Sequence, residues 1–274
     1  MIELHKYSGA GNDFVVLDGR KEDVSEFRTP ERIAALCDRR TGFAAADGRI
    51  GADGLMILTE DPDYDFRMEY YNSDGSGGMM CGNGGRCIVA FADALGLKPA
   101  DGRVFRFAAA DGEHTGEILA REGDLKTVRL RMIDVHEFRP ALDGWFLDTG
   151  TRHFVRFVPD VEAVDIEKEG YAARWDPLFA PIGANANFVS VDPDGTLRVR
   201  TFEKGVEAET LACGTGITAS AIAAYLEGPA AAVSPGVSVH FGIQARIARL
   251  AVDFRPGQNC FTDVYLTGPA DEIR

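Results

Sequence analysis

Two cysteines occupy matching glycine-rich turns. One turn is Cys81-Gly82-Asn83-Gly84 and the other is Cys213-Gly214-Thr215-Gly216, and an apolar run follows each. The runs predict helices, so each cysteine would stand at a helix N-terminus. That position lowers the pKa of a thiol, and the glycines let backbone N–H groups approach a bound carboxylate or phosphate. The residue types favour thiol chemistry on a small anionic molecule.

The sequence around the two turns indicates an internal repeat. An alternating strand pattern and Asn72-Ser73-Asp74-Gly75 precede the first turn, and a strand pattern with Glu203-Lys204-Gly205 precedes the second. Gly96 and Gly228 follow the two cysteines at the same spacing and predict where the helices end. The turns lie almost half a chain length apart, so we expect two copies of one unit.

The predicted helices are apolar on nearly every side, which predicts that each is buried inside a curved sheet. With the halves in a pseudo-twofold arrangement, both N-termini would point into one cleft, where pockets commonly form. Two thiols on opposite sides of a carbon atom can remove a proton from one face and deliver one to the other. These are the catalytic groups of a racemase or epimerase that needs no cofactor. The helix dipoles would stabilise the carboxylate as the α-carbanion forms.

The other three cysteines have no companion motif. Thr29 as cap and Pro30 at the first position predict a helix that carries Cys37 on its apolar face. Cys87 falls inside the helix that follows the first turn. We interpret Cys37 and Cys87 as packing residues and Cys260 as structural or incidental. An odd number of cysteines argues against a disulfide framework, and the absence of a C-x-x-C pair argues against zinc.

Apolar and charged residues alternate in Phe66–Tyr70, Val128–Met132 and Leu197–Arg200. This period of two is typical of half-buried strands, and it favours antiparallel pairing over a parallel sheet. The length of 274 residues is enough for two domains.

The charge balance excludes several partners. The chain has 29 Lys and Arg against 43 Asp and Glu, a net charge of −14. Such a surface repels nucleic acid and anionic lipid, so we expect a small-molecule partner, no nucleic acid and no membrane. No apolar stretch is long enough to cross a bilayer, and residues 1–6 lack the pattern of a signal peptide, so we expect a cytoplasmic protein.

Residues 214–219 fit G-x-G-x-x-A, but they do not directly follow a strand, which argues against dinucleotide binding.

Six motifs in sequence order together resemble the diaminopimelate epimerase family. They are Ser8–Phe14, Gly51–Gly54, Asn72–Ser76, Cys81–Cys87, Asn185–Val189 and Glu209–Gly216. The resemblance implies interconversion of LL- and meso-2,6-diaminopimelate in bacterial lysine and cell-wall precursor synthesis. It also implies that the enzyme uses no pyridoxal phosphate, and a homodimer is a family expectation. We therefore expect no cofactor, and the cysteine spacing leads us to expect no metal.

The resemblance assigns roles to individual residues. Cys81 and Cys213 match the acid–base cysteines, and Glu203 and His153 match partners that help them exchange protons. The residues that match substrate-binding positions are Asn12, Asn72, Gly82, Asn83, Asn185, Lys204, Gly214 and Thr215.

The fold class that the resemblance implies is α+β. It consists of two pseudo-symmetric domains, each a mainly antiparallel barrel-like sheet around a central helix. We expect residues 1–122 to form the N-terminal half, with 264–274 returning to it, and residues 123–263 to form the C-terminal half.

Three features depart from the family pattern. Lys204 stands where the family often has Arg, and it would hold the distal carboxylate as a point charge and not as a fork. Thr151-Arg152 replaces a common Asn-Pro before His153, and Gly42–Arg49 resembles an insertion. These changes affect distal-end recognition or a loop, so the reaction is better determined than the substrate. The alternatives are a proline or hydroxyproline racemase, a non-catalytic anion-binding protein and a redox dithiol protein.

Overall fold

A computed structural model of the 274-residue chain describes residues 2–77, 81–228 and 236–274. The chain forms two compact units. The first runs to Leu130 and includes Gly268–Arg274, and the second is Arg131–Thr267. Each unit has its own apolar core.

The described residues of the first half form seven strands and two α-helices. They are β1 (Leu4–Gly9), β2 (Asn12–Asp18), α1 (Pro30–Cys37), β3 (Gly54–Thr59), β4 (Phe66–Asn72), α2 (Gly82–Ala94), β5 (Val104–Ala109), β6 (Gly112–Glu122) and β7 (Leu125–Arg131). The second half contains the remaining described elements. They are β8 (Glu137–Ala141), β9 (Gly144–Asp148), β10 (Arg152–Phe157), α3 (Ile166–Arg174), β11 (Asn185–Val191), β12 (Leu197–Glu203), β13 (Ala208–Thr210), α4 (Gly214–Glu227), β14 (Val239–Gln244), β15 (Arg249–Pro256) and β16 (Phe261–Glu272).

The first unit is a closed barrel. Strands β1 to β7 pair in sequence order, and the C-terminal end of β16 pairs with both β7 and β1. Helix α2 contacts β1, β2, β3 and β6, and residues 83–92 of this helix are all buried. The barrel therefore surrounds α2, as the apolar run predicts.

The second unit surrounds α4 in the same way. Its strands pair in the order β8-β9-β10-β11-β12-β14-β15-β16, and β13 pairs with β12 at one side. A single bridge between Val135 and Phe261 links the two ends of this order. Helix α4 contacts β9 to β12, β14 and β15, and residues 216–223 are buried.

The order of elements confirms the predicted repeat. From β1 to β7 and from β9 to β16 the chain runs strand, strand, helix, strand, strand, helix and three further strands, apart from the short β13. Parallel pairs occur at matching places, β2–β3 and β4–β5 in one unit and β10–β11 and β12–β14 in the other. The other pairs are antiparallel, so the predicted α+β class is confirmed.

Local signals in the sequence are also confirmed. Thr29 caps α1 by accepting a hydrogen bond from Arg32 N, and Pro30 is the first helical residue. Cys37 is buried in the core of the first unit. The segment interpreted as an insertion, residues 42–49, makes a bridge between Ala44 and Ile50. Of the helices in the described ranges, none combines the length and apolar character that a bilayer crossing requires.

The β1–β2 hairpin is positioned by glycine. Its two-residue loop, Ala10-Gly11, has positive φ at both positions (59° and 110°), as a tight hairpin requires. Gly9 lets this hairpin approach α2, because a Cβ at Gly9 would lie 2.8 Å from Asn83 O and 3.0 Å from Cys87 Sγ.

We therefore expect Gly9→Ala to lower the free energy of unfolding by about 1–3 kcal/mol, because the added methyl overpacks the contact with α2. Gly242→Ala is the matched control, since a Cβ at that strand glycine meets no atom within 4 Å. Urea unfolding measures both. Equal stability of the two variants would contradict the close approach.

Candidate functional site

The first cysteine turn is the N-terminus of α2. Cys81 is the N-cap, with an extended backbone (φ −105°, ψ 122°), and its carbonyl accepts from Gly85 N at 2.7 Å. A Cβ at Gly84 would lie 3.1 Å from Met56 Sδ, so this glycine lets the turn sit close to the barrel wall. Helix α2 begins at Gly82, and the first N–H groups of a helix have no acceptor within the helix, so its N-terminus favours an anion.

A chain of side-chain amides begins at this turn. Arg86 Nη2 donates to Asn83 Oδ1 at 2.8 Å, and Asn83 Nδ2 donates to Asn12 Oδ1 at 2.6 Å. Asn12 Nδ2 then donates to Asp53 Oδ2 at 2.9 Å. Because a guanidinium only donates and a carboxylate only accepts, the two ends fix the orientation of both amides. We call Arg86, Asn83, Asn12 and Asp53 the amide chain.

The amide chain shows how two predicted substrate-binding residues are used. The side chain of Asn83 is buried and bonded to protein at both ends, so it supports the turn. Asn12 keeps one amide hydrogen beyond its bond to Asp53. Sequence reasoning assigned no role to Asp53 or Arg86. Asp53 lies in the motif Gly51–Gly54 and Arg86 in the motif Cys81–Cys87, and these positions could have identified both residues.

Two cations, one exposed and one buried, pair with the aspartates at the far end of the amide chain. Arg39 donates to both oxygens of Asp13 (3.0 and 2.7 Å) and to Asp53 Oδ1 at 2.5 Å. Lys6 is fully buried and lies 2.9 Å from Asp13 Oδ2. Burial alone would raise the pKa of Asp13, but the bonds from Arg39 and Lys6 outweigh it and lower that pKa.

Asn72 lies at the same end of the sheet as Asn12. It pairs with Gly54 across β3 and β4, and Gly54 pairs with Phe14 in β2, the strand that Asn12 begins. Its Oδ1 accepts from Tyr70 Oη at 2.9 Å and its Nδ2 donates to a serine hydroxyl at 2.9 Å. The first unit therefore brings together three of its predicted site residues, Asn12, Asn72 and Asn83.

The second cysteine turn is the N-terminus of α4. Cys213 is the N-cap (φ −116°, ψ 109°), and α4 begins at Gly214. The Cys213 side chain is buried, and its Sγ lies 3.4 Å from Thr215 Oγ1. A Cβ at Gly216 would collide with Asn187 Oδ1, so a glycine is required there.

Thr215 belongs to a buried polar cluster. His153 Nε2 lies 3.0 Å from Thr215 Oγ1 and 2.9 Å from Thr151 Oγ1, and the two hydroxyls are 3.1 Å apart. His153 Nδ1 lies 3.1 Å from Asn187 Nδ2. We call Thr151, His153, Asn187 and Thr215 the histidine cluster.

The hydrogen bonds of Asn187 determine the tautomer of His153. Asn187 Oδ1 accepts from Thr201 Oγ1 at 2.9 Å, so the other end of this amide is the donor. Nδ2 donates to Phe154 O and to His153 Nδ1. The imidazole proton is therefore on Nε2, which donates to the hydroxyls, and Thr215 can direct its own proton to the sulfur of Cys213.

His153 is neutral in this cluster. It is fully buried, and burial lowers its pKa to about 3. The family resemblance predicts that His153 helps the cysteines exchange protons. In the structure its ring contacts the second cysteine turn through the Thr215 hydroxyl.

Asn185 and Glu203 lie at the same end of the second sheet as His153. Asn185 pairs with His153 across β10 and β11. Asn185 Oδ1 accepts from Lys204 N at 2.7 Å, and its Nδ2 donates to Arg152 O at 3.1 Å. Both ends of this amide are thus bonded to protein, and they hold the residue after Glu203 in place. Burial raises the pKa of the Glu203 carboxyl.

The buried neutral histidine predicts a pH dependence of stability. Below about pH 6.5 the unfolded chain binds a proton at His153 that the folded protein does not, so stability falls as pH drops from 6.5 toward 3, by at most about 1.4 kcal/mol per pH unit. In His153→Gln this loss should disappear, while the exposed His136→Gln should retain it. Free energies of unfolding between pH 7 and pH 4 measure it. An identical pH slope in wild type and His153→Gln would contradict the neutral state.

The fold defines an α+β protein in which the strands of each unit surround a central helix. Solved structures support the fold: a phenazine biosynthesis protein of the PhzF family from Bacillus anthracis superposes with a TM-score of 0.75 at 14% identity, covering 100% of this chain and 97% of that one. A hydroxyproline epimerase from Agrobacterium vitis gives 0.62 at 17% identity, covering 99% and 92%.

Sequence comparison gives the family. The family model described as diaminopimelate epimerase matches residues 4–123 and 145–241. The diaminopimelate epimerase of Flavobacterium psychrophilum is 40% identical over 99% of this chain and 98% of its own length. That of Chlorobaculum tepidum is also 40% identical, over 97% of each chain. The chain belongs to the diaminopimelate epimerase family.

Proposed function

We propose that this protein interconverts LL- and meso-2,6-diaminopimelate with Cys81 and Cys213 as acid and base, without pyridoxal phosphate. Family membership supports the substrate. The observation that carries the chemistry is that a cysteine caps the central helix in both units. An epimerase needs a base for one face of the α-carbon and an acid for the other, and a thiol can serve as either.

The proton balance of this reaction involves only the two thiols and the substrate. One cysteine begins as a thiolate and takes the α-proton, so an S–H bond forms while the C–H electron pair stays on the substrate. The other begins as a thiol and gives its proton to the opposite face, so its S–H bond breaks and a C–H bond forms. The two cysteines thus exchange their protonation states. Proton exchange with solvent then restores the starting state of each cysteine.

The helix N-termini would supply the binding site for the reacting carboxylate. The backbone N–H groups of Gly82 and Asn83, and those of Gly214 and Thr215, belong to first turns whose donors have no helical partner. As the C–H bond breaks, negative charge moves into the carboxylate. Fixed donors therefore bind the transition state more tightly than the ground state, which lowers the barrier.

Side chains near the second turn would assist proton transfer. The Thr215 hydroxyl, which accepts from His153 Nε2, can donate to Cys213 Sγ and stabilise the thiolate that forms when Cys213 gives up its proton. Glu203, whose pKa is raised by burial, is a carboxyl that can hold a proton closer to neutral pH. We assign it as the group that exchanges protons with this end of the site.

The distal end of the substrate would depend on Lys204. Of the other two candidates, Arg152 donates to Phe179 O at 3.0 Å and lies over the Phe146 ring, and Thr151 is part of the histidine cluster. The side chain of Lys204 is exposed, while its backbone is held by Asn185. Its ammonium can reach a ligand without breaking these contacts.

We expect Lys204→Met to raise KM for diaminopimelate about tenfold with kcat nearly unchanged, because it removes one charge-assisted hydrogen bond from the non-reacting end. Lys204→Arg should keep KM within about threefold of the wild type, since it retains the charge. Lys168→Met, an exposed lysine of α3, is the control and should leave KM unchanged. A wild-type KM in Lys204→Met would exclude this contact.

The cysteines are tested by substitution. Cys81→Ala and Cys213→Ala should each lower kcat for LL-diaminopimelate by about 10²–10⁴-fold, because each removes one of the two proton-transfer groups. Cys260→Ala, a half-buried cysteine outside both turns, should retain full activity. The assay is chromatographic separation of the isomers in reduced protein without pyridoxal phosphate. Full activity of either turn variant would defeat the two-thiol mechanism.

Assays with several amino acids test the proposed chemistry and the proposed substrate separately. Proline and hydroxyproline racemisation without diaminopimelate turnover would contradict the proposed substrate while keeping the chemistry. Failure of fresh, reduced protein to act on any of these amino acids would contradict the proposal as a whole.

A further inference from the structure

Arg86 is a buried cation with neutral partners. Its side chain is fully buried, the largest such side chain in the described parts of the chain. The guanidinium donates to Asn83 Oδ1 at 2.8 Å, Pro269 O at 3.3 Å and Gly82 O at 3.4 Å. Within the described ranges it makes no ion pair with a carboxylate at 4.0 Å or less. A buried charge without a counter-ion is costly, so its retention calls for an explanation.

The position of this charge increases the cost. Arg86 lies in the second turn of α2, and its contact with Gly82 O shows that the guanidinium folds back toward the N-terminus. The N-terminus of a helix already carries a positive partial charge, so the two positive potentials add beside Cys81. An anion at Cys81 would relieve both.

The second turn lacks this charge. Thr218 stands in α4 where Arg86 stands in α2, five residues after the cysteine, and its Oγ1 donates to Gly214 O at 3.0 Å. The two side chains thus contact the equivalent glycine carbonyl, one with a cation and the other with a hydroxyl. The ring beside the second turn, His153, is neutral. The two helix termini are alike in backbone and different in charge.

The other titratable groups around Arg86 do not cancel its charge. On α2 itself, burial raises the pKa of the Cys87 thiol, which is therefore neutral. From β2, Asp13 is paired with Lys6 and Arg39. From β16, Asp271 is among the carboxylates that form no ion pair with Arg86 within the described ranges. Asp53, paired with Arg39, is separated from Arg86 by the two amides of the amide chain.

We propose that Arg86 is a positioning residue that holds Cys81 as the thiolate in the resting protein, while Cys213, whose helix lacks this charge, carries the proton. This rests on the proposed two-cysteine function and adds a direction to it. In the resting protein Cys81 is ready to accept an α-proton and Cys213 to donate one. Turnover in the opposite direction starts from the less populated form, in which the two protons are exchanged.

The test is the pH dependence of alkylation at each cysteine of the substrate-free, reduced full-length protein. Iodoacetamide labelling between pH 5 and pH 10, read by tandem mass spectrometry, gives a midpoint for each thiol because only the thiolate reacts. We expect the Cys81 midpoint to lie at least about one pH unit below that of Cys213, a tenfold difference in thiolate ratio. Equal midpoints, or a lower midpoint at Cys213, would overturn the proposal.

Variants then assign the effect to Arg86. Arg86→Met should raise the Cys81 midpoint by about one pH unit or more and leave Cys213 unchanged, and Arg86→Lys should restore most of the shift. Arg103→Met, an exposed arginine of the same barrel, is the matched control and should move neither. An unshifted Cys81 in Arg86→Met, or no restoration by Arg86→Lys, would overturn the assignment. Should Arg86→Met not fold, the wild-type midpoints and the Arg86→Lys variant still decide it.

This experiment is independent of turnover. An active epimerase with equal midpoints would refute the role of Arg86 and leave the proposed function intact. Unequal midpoints in a protein that epimerises none of the amino acids tested would refute the proposed function. The role of Arg86 in lowering the Cys81 midpoint would still stand.

Discussion

Burial of an apolar helix that begins at a cysteine turn is the constraint on which the rest of this structure depends. Each unit places an apolar helix inside a sheet, and each helix begins at a cysteine. The first residues of each helix are half-buried, so water satisfies their N–H groups and screens the positive end of the helix dipole less than it does at an exposed surface. Such an end is stable when it faces an anion, and it can supply that stabilisation to a thiolate or to a carboxylate.

The two units satisfy the polar groups around this end in different ways. The first uses the amide chain, which links a buried guanidinium to a carboxylate through two asparagines. The second uses the histidine cluster, in which a neutral ring and two hydroxyls lead to the sulfur. A repeated backbone therefore carries two distinct electrostatic environments, one at each cysteine turn.

Much of the fold and the location of the candidate site follow from sequence patterns. Glycine spacing predicts both cysteine turns, apolar runs predict both central helices, and alternation predicts strands such as β4 and β12. The partners of the side chains could not be predicted in this way. The bond from Asn83 to Asn12 and the contact of Thr151 with Thr215 join segments far apart in the chain. They depend on strand register and on the close approach at Gly9 and Gly216, which local patterns do not specify.

The most direct test of the two-cysteine account is the fate of the α-hydrogen in D₂O. LL-diaminopimelate is incubated with the reduced protein without pyridoxal phosphate, and substrate and product are analysed by NMR at low conversion. Two thiols predict that the meso product carries deuterium at the epimerised carbon while recovered LL substrate carries almost none, because different groups remove and deliver the proton. Deuterium entering the recovered substrate as fast as product forms, or product that retains the original hydrogen, would contradict it.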